Sequence, residues 1–181
     1  MDNGAFGYQR YLSGDDGGLV DVIRDYKDGL MLYINGITGD IGLAEEIMEE
    51  TFFRIATKKP KFTGKSSFKT WLYAIGRNAA VDMLRKSKRE QVIYDDELDN
   101  QQDLENEYLR TEQKITLHRA ISRLTPDYRQ VLCLSFFEEL SNEEVASIMH
   151  KSRRQIENLL YRAKNSLRTE LEKEGFEYEI I

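Results

Sequence analysis

Cysteine is nearly absent from this 181-residue chain, which holds only Cys133, inside the apolar run Val131–Phe137. A single thiol excludes a disulfide framework and a cysteine-based zinc site, and reads as a packed group in a reducing compartment. Histidine is scarce as well: His118 and His150 stand far apart, without the spacing of a metal pair or of a nucleophile's partner. No apolar run approaches the roughly 20 residues that cross a bilayer. The amino terminus, with Asp2, Asp15 and Asp16 among glycines, does not resemble a signal peptide. These absences point to the cytoplasm and to no membrane insertion. Gly64-Lys65-Ser66 looks like the end of a phosphate-binding loop, but Lys59 stands where the first glycine belongs and no strand precedes it. The acids of 95–107 lack the glycine and spacing of a calcium loop. No catalytic constellation is present and nothing calls for a cofactor, so the chain is read as a non-enzyme.

What is present is charge, in blocks. The net charge of −6 argues against a free-standing nucleic-acid binder. Residues 1–53 carry three basic and eleven acidic groups, whereas 54–89 carry eleven basic groups and one acid, Asp82. Residues 90–112 set Arg110 against nine acids, and 113–181 are balanced. Such alternation suggests separate surfaces for separate partners, one of them polyanionic.

The pattern is all-α, with no convincing strand and no repeat. A first helix is expected over Leu19–Tyr33, a second from an N-cap at Asp40 to about Ala56, and a third from about Ser67 to Lys88 after Pro60 and the Gly64 turn. Asp95–Glu107, acidic and amide-rich, reads as a linker. A fourth helix spans about Tyr108–Leu124. Thr125-Pro126 opens another, running to about Phe137, and Glu170–Ile181 is a tail. Two small helical domains result, over 1–94 and 113–181, joined by an acidic tether at 95–112.

Ser141–Leu167 reads as helix, three-residue turn, helix. Ser141-Asn-Glu-Glu144 and Ser152-Arg-Arg-Gln155 both fit the capping box, in which a serine hydroxyl takes an amide and the acid or amide three residues on bonds back. Ile156, Leu160, Ala163 and Leu167 form an apolar stripe on the second helix. Arg153, Arg154, Glu157, Asn158, Tyr161, Arg162 and Asn165 form the opposite face, suited to phosphates and base edges. This is the helix-turn-helix pattern. An ordinary helical hairpin fits the same stretch taken alone.

The third helix adds a different chemistry. Phe68, Leu72, Ile75, Ala79 and Met83 make a stripe expected to face a core, while Trp71, Asn78 and Arg85 share another face with Asp82 beside it. Ahead lies the loop Phe62-Thr-Gly-Lys-Ser-Ser67. An aromatic can stack on an unstacked base, amides and hydroxyls can read its edge, and lysines can hold a backbone. Trp71 by itself also suits a core. The strongly basic block around it favours single-stranded DNA.

Four motifs in this order resemble bacterial sigma factors of the extracytoplasmic-function (ECF) group: Ala44-Glu-Glu-Ile-Met-Glu-Glu-Thr-Phe-Phe53, Phe68-Lys-Thr-Trp-Leu-Tyr-Ala-Ile-Gly-Arg-Asn78, Asp82-Met-Leu-Arg85, and the helix-turn-helix ending Tyr161-Arg-Ala-Lys164. The resemblance covers about Leu19 to Leu171 and implies sigma domains 2 and 4 with no domain 3. It implies binding to RNA polymerase core, at the β′ clamp and the β subunit, and promoter-specific initiation in an extracytoplasmic or stress response. Glu45, Glu46, Glu49 and Glu50 would meet the clamp, with Ile47 and Phe52 packing beside them. Phe62, Lys65, Ser66, Ser67, Trp71, Arg77, Asn78 and Arg85 would meet the melted −10 element, the loop taking a flipped base. The tether would occupy the RNA exit path. Arg153, Arg154, Gln155, Glu157, Asn158 and Arg162 would enter the −35 major groove. A membrane-bound anti-sigma factor is the further partner the resemblance implies. The alternative is a stand-alone helix-turn-helix regulator, which would need a sensor domain that the amino-terminal half does not suggest.

One departure stands out. Family members commonly start the recognition helix with Gly-Thr-Val-Lys or Gly-Thr-Val-Arg, where this chain has Arg154-Gln-Ile-Glu157. A carboxylate cannot donate to guanine but can accept from cytosine N4. Three roles stay open for Glu157: reading cytosine, orienting a neighbouring arginine toward guanine, or pairing along the helix with Arg153 or Arg154.

Overall fold

The computed structural model describes residues 2–91 and 112–175. All but the last residue of the expected tether lies outside these, as does the end of the expected tail. Among the described residues there are no strands, and the helices are α1 (Asn3–Leu12), α2 (Gly17–Thr38), α3 (Ile41–Lys58), α4 (Phe68–Gln91), α5 (Glu112–Ser122), α6 (Pro126–Leu132), α7 (Asn142–Met149) and α8 (Arg153–Lys173). None of them is long and apolar enough to cross a membrane.

Helix α1 has no counterpart in the sequence reading. Gly4 and Gly7 weaken it as an isolated helix, so its stability comes from its surroundings. Asp2 caps it, Oδ1 accepting from the amides of Gly4 at 2.8 Å and Ala5 at 3.2 Å. It then crosses α2 glycine to glycine. A Cβ on Gly18 would overlap the Gly7 carbonyl oxygen and come within 2.7 Å of the Tyr11 amide nitrogen. Only a bare backbone allows that approach.

Helix α2 extends beyond the expected Leu19–Tyr33 at both ends and stops at Gly39, whose φ of 70° is left-handed. Asp40 caps α3 as expected, accepting from the Leu43 amide at 3.0 Å. The buried positions of α3 are Ala44, Ile47, Thr51, Phe52 and Ile55, a helical stripe. On α4 the buried residues are Phe68, Thr70, Leu72, Tyr73, Gly76 and Ala80; Ile75, Ala79 and Met83, expected in the core, are half-exposed. Tyr73 takes the inward place and stacks on Tyr33 with ring centroids 5.4 Å apart.

In the carboxy-terminal half, Pro126 occupies the first turn of α6, although Thr125 makes no side-chain cap. The helix passes into a π-helical turn at Cys133–Phe137. The wider turn shifts the register, leaving Leu134 buried and Phe136 and Phe137 exposed. Both capping boxes are present, at Ser141/Glu144 and Ser152/Gln155. Helix α8 runs on to Lys173, so the first residues of the expected tail are helical.

The two halves pack together. Gln130, 4% exposed, accepts at Oε1 from the Tyr33 hydroxyl and from Arg77 Nε, both at 3.3 Å. Arg129 donates to the carbonyls of Gly36, Ser122 and Leu124 at 2.8, 3.1 and 3.0 Å, which places a cation at the C-terminal end of α2. Lys69 Nζ meets Glu138 Oε2 at 2.8 Å. Glu144 Oε1 accepts from the hydroxyls of Ser67 at 3.0 Å and Thr70 at 3.1 Å, while its Oε2 closes the Ser141 capping box.

Burial acts to raise the Glu144 pKa, but the bonds from Ser141, Ser67 and Thr70 outweigh it and hold the carboxyl below its ordinary value. A depressed pKa contributes stability that is present above the ordinary glutamate value and lost as pH falls through the depressed one. Glu144→Gln keeps the capping box and removes this titration. Thermal melting followed from neutral to acid pH should show a smaller acid-side loss in the variant than in the parent. The α1–α2 crossing has its own test: Gly18→Ala should cost about 1–3 kcal/mol by overpacking. Gly42→Ala, in a roomier helical position, should be neutral or stabilising by up to about 1 kcal/mol. Equal melting temperatures for the two variants would contradict the crossing.

Candidate nucleic-acid and docking interfaces

The first site is the loop between α3 and α4. Its tip, Thr63 to Ser66, is exposed, and Gly64 has a left-handed φ of 73°. Its stem is aromatic. Phe62 lies 5.5 Å from Phe68 in an edge contact and 5.3 Å from Trp71, and Trp71 in turn lies 5.4 Å from Tyr8. Phe62 and Trp71 are half-buried, so each ring both packs and keeps an accessible part. The two readings of Trp71 are therefore not exclusive. Lys65 and Ser66 are exposed at the tip and, among the described residues, make only a local bond, from Ser66 Oγ to the Ser67 carbonyl.

Ser67 and Asn78 are placed differently from Lys65 and Ser66. Ser67 caps α4, its hydroxyl accepting from the Thr70 amide at 3.2 Å, and reaches Glu144. Asn78 is exposed yet bonded, its Oδ1 lying 3.1 Å from His150 Nε2, the nitrogen that donates. His150 ends α7 with a φ of 54° and so forms part of the turn to α8, and it also contacts the other half. Arg77 is tied to Gln130. Thus three of the candidate −10 residues, Ser67, Arg77 and Asn78, bond to the carboxy-terminal half. Thr70, Glu144 and His150 carry no sequence signal as partners, because polar contacts 72 to 77 residues apart leave no periodicity.

The second site is a shallow groove between α3 and α4. Glu46, Ile47, Glu49, Glu50, Phe53 and Arg54 line one wall, Arg54 lying 3.7 Å from Glu50; Ala79, Asp82, Met83, Arg85 and Lys86 line the other. Glu45 is exposed on α3 but off the groove, and Arg85 belongs to this groove, 3.9 Å from Asp82. Ile47, 1% exposed, lies at the base of the groove and packs into the core, whereas Phe52, 5% exposed, is buried off the groove; the exposed aromatic is Phe53, at 63%. The signal was in the register: Phe52 follows Ala44, Ile47 and Thr51 around the buried stripe, and Phe53 falls one step outside it.

The third site is the exposed face of α8. Arg153, Arg154, Gln155, Glu157, Asn158 and Arg162 are all exposed, as are Tyr161 and Asn165. Ile156 and Ala163 are buried and Leu160 and Leu167 half-buried on the opposite side, as the stripe requires. Arg153 is held twice, by Glu157 at 2.8 Å and by Glu143 of α7 at 2.6 Å. Those carboxylates raise its pKa, the Glu157 hydrogen bond most. Arg154 and Arg162 form no ion pair among the described residues.

Residues 22–90 match the family described as Sigma-70 region 2, and residues 114–167 match Sigma-70, region 4. The chain is 30% identical over 150 residues to the ECF RNA polymerase sigma factor SigM of Bacillus subtilis (strain 168), covering 82% of this chain and 91% of that one. It is 27% identical over 171 residues to SigW of the same organism, covering 87% and 91%. In fold it is similar to the sigma factor RpoE of Bartonella quintana, solved in complex with the anti-sigma factor NepR. That match has a TM-score of 0.69 at 22% identity and covers 83% of this chain and 94% of that one. CnrH, solved in complex with the cytosolic domain of CnrY, matches with a TM-score of 0.65 at 18% identity, covering 95% and 99%. By its two matched regions and by its identity across nearly the whole of a relative, the chain belongs to the ECF RNA polymerase sigma factors, which are transcription initiation factors.

Proposed function

We propose that this sigma factor works in the cytoplasm, in an extracytoplasmic or stress response, and divides promoter recognition between its halves. The α3–α4 groove, with Glu46, Glu49, Glu50 and Phe53, docks on core RNA polymerase, its acids toward basic groups of the β′ clamp. The loop 62–67 and the adjoining face of α4 capture the melted −10 strand. Helix α8 enters the −35 major groove and, with the rest of domain 4, meets the β subunit. The observation that carries the reading is the loop itself. An aromatic stem, a bare glycine turn and an exposed lysine–serine tip next to a basic helix are suited to hold one unstacked base and its backbone.

Because Ser67, Thr70 and Asn78 are bonded to α7, capture of DNA requires the halves to part. Core polymerase supplies the separation when it takes the two domains on different surfaces. An anti-sigma factor is the natural antagonist; the similar RpoE and CnrH structures are both complexes, the first with an anti-sigma factor.

Reconstitution with core polymerase tests this directly. The chain should co-purify with core and confer specific transcription that core alone lacks. Phe62→Ala and Asn78→Ala should leave core binding intact and lower transcription from duplex promoters. The loss should shrink on templates already open at −10, where unstacking, a few kcal/mol per step, has been removed. Equal losses on closed and open templates would argue against base capture. Tight specific binding of the chain alone to duplex DNA at physiological salt would favour a stand-alone regulator.

For Glu157 the bond to Arg153 favours a role exerted through that arginine, which it aims at a guanine. A selection over randomised −35 sequences with Glu157→Lys should change the preference at one position by about tenfold. An unchanged preference with uniformly tighter binding would leave Glu157 as a surface pair.

A further inference from the structure

Helix α1 lies ahead of the matched region 2, which begins at residue 22. We propose that α1 is a brace that positions the base-capturing loop, with Asp2, Tyr8 and Tyr11 as the positioning residues; this rests on the reading of loop 62–67 given above.

Three backbone groups around the loop have no partner in their own helix, and α1 meets all three. The Ala56 carbonyl, near the end of α3, would ordinarily accept from the amide four residues on. That residue is Pro60, which has no N–H; the Tyr11 hydroxyl donates to Ala56 instead, at 2.8 Å. The Pro60 carbonyl, where the chain leaves α3, accepts from the Tyr8 hydroxyl at 2.7 Å. The Phe68 amide opens α4 and is one of its unpaired first-turn donors; it donates to Asp2 Oδ2 at 2.6 Å. Lys59 adds a fourth contact, its ammonium 4.8 Å above the Tyr11 ring while its own φ is a strained 45°.

Both ends of the segment 59–67 are thus fixed by one short helix, and the tip between them is left exposed. Burial pushes the Tyr8 hydroxyl up to about 12, so it remains a donor at any physiological pH. Asp2 uses its two oxygens for two helices: Oδ1 caps α1 and Oδ2 caps α4. Gly4 lets them approach, since a Cβ there would collide with Phe68 and the Tyr26 hydroxyl. The brace therefore sets the distance between the ends of α3 and α4, and with it the seat of Phe62 against Trp71.

This division of oxygens gives a selective variant. Asparagine caps a helix as well as aspartate does but offers one acceptor oxygen in place of two. Asp2→Asn should keep α1 and release the Phe68 amide, and the pair Tyr8→Phe with Tyr11→Phe should release the other end. Each would be bound to core polymerase and assayed on fork-junction DNA whose unpaired −10 strand is randomised. In the free protein, acrylamide quenching of Trp71, the sole tryptophan, reports the loop stem without DNA. The expected result is easier quenching, fork-junction affinity lowered about five- to tenfold per released end, and unchanged helicity and core binding. Parental quenching and fork-junction binding in both variants would overturn the brace. So would altered quenching with parental DNA binding, or a loss of DNA binding no larger than the loss of core binding. A parent holoenzyme that fails to distinguish fork-junction from fully paired DNA would instead overturn the base-capture reading on which the brace rests.

Discussion

A helix leaves four amides without partners at its start and four carbonyls without partners at its end. In this chain the side chains that meet that demand are also the ones that join elements together. Asp2 serves the first amides of α1 and of α4. Glu144 closes the box of α7 with one oxygen and takes the hydroxyls at the start of α4 with the other. Arg129 supplies the last turn of α2 from a helix in the opposite half. The start of α4 and the end of α2 are satisfied only when those neighbours are in place. Local order and tertiary order are therefore the same requirement at these points.

The same economy explains why the amino-terminal half tolerates poor local propensities. Helix α1 carries two glycines in its first five residues, and each lowers helix stability by about 1 kcal/mol relative to alanine. Gly7 returns that loss by permitting backbone-to-backbone crossing with α2 and Gly4 by letting Phe68 and Tyr26 approach, and the hydroxyls of Tyr8 and Tyr11 bond to carbonyls of another segment. A helix of this kind is maintained by its contacts more than by its sequence.

That is also why it was not legible in the sequence, whereas the helix-turn-helix was. Capping boxes at Ser141 and Ser152 are local, and both are present as read. Asp40 before α3 and Pro126 opening α6 are likewise short-range signals. The apolar stripe of α8 follows a period of 3.6 residues and keeps its face. On α4 the same period admitted two phases, and the one including Ile75, Ala79 and Met83 missed Tyr73, whose inward place depends on stacking with Tyr33. Phe52 and Phe53 differ by one step of register, which decides between core and surface. The bonds from Ser67, Thr70 and Asn78 to α7 involve polar groups far apart in the chain and have no signature in composition or spacing.

Those last bonds carry a consequence for affinity. Ser67 and Thr70 give their hydroxyls to a carboxylate, and Asn78 meets the ring nitrogen of His150; an anionic acceptor and a planar heterocycle are also what a nucleic acid strand presents. On the proposed reading, helix α7 imitates the ligand and competes with it within one molecule. Intrinsic affinity for DNA is then multiplied by the fraction of chains whose halves have parted. Any partner that holds them apart raises promoter affinity without touching a base, and any partner that clasps them together lowers it without covering the loop.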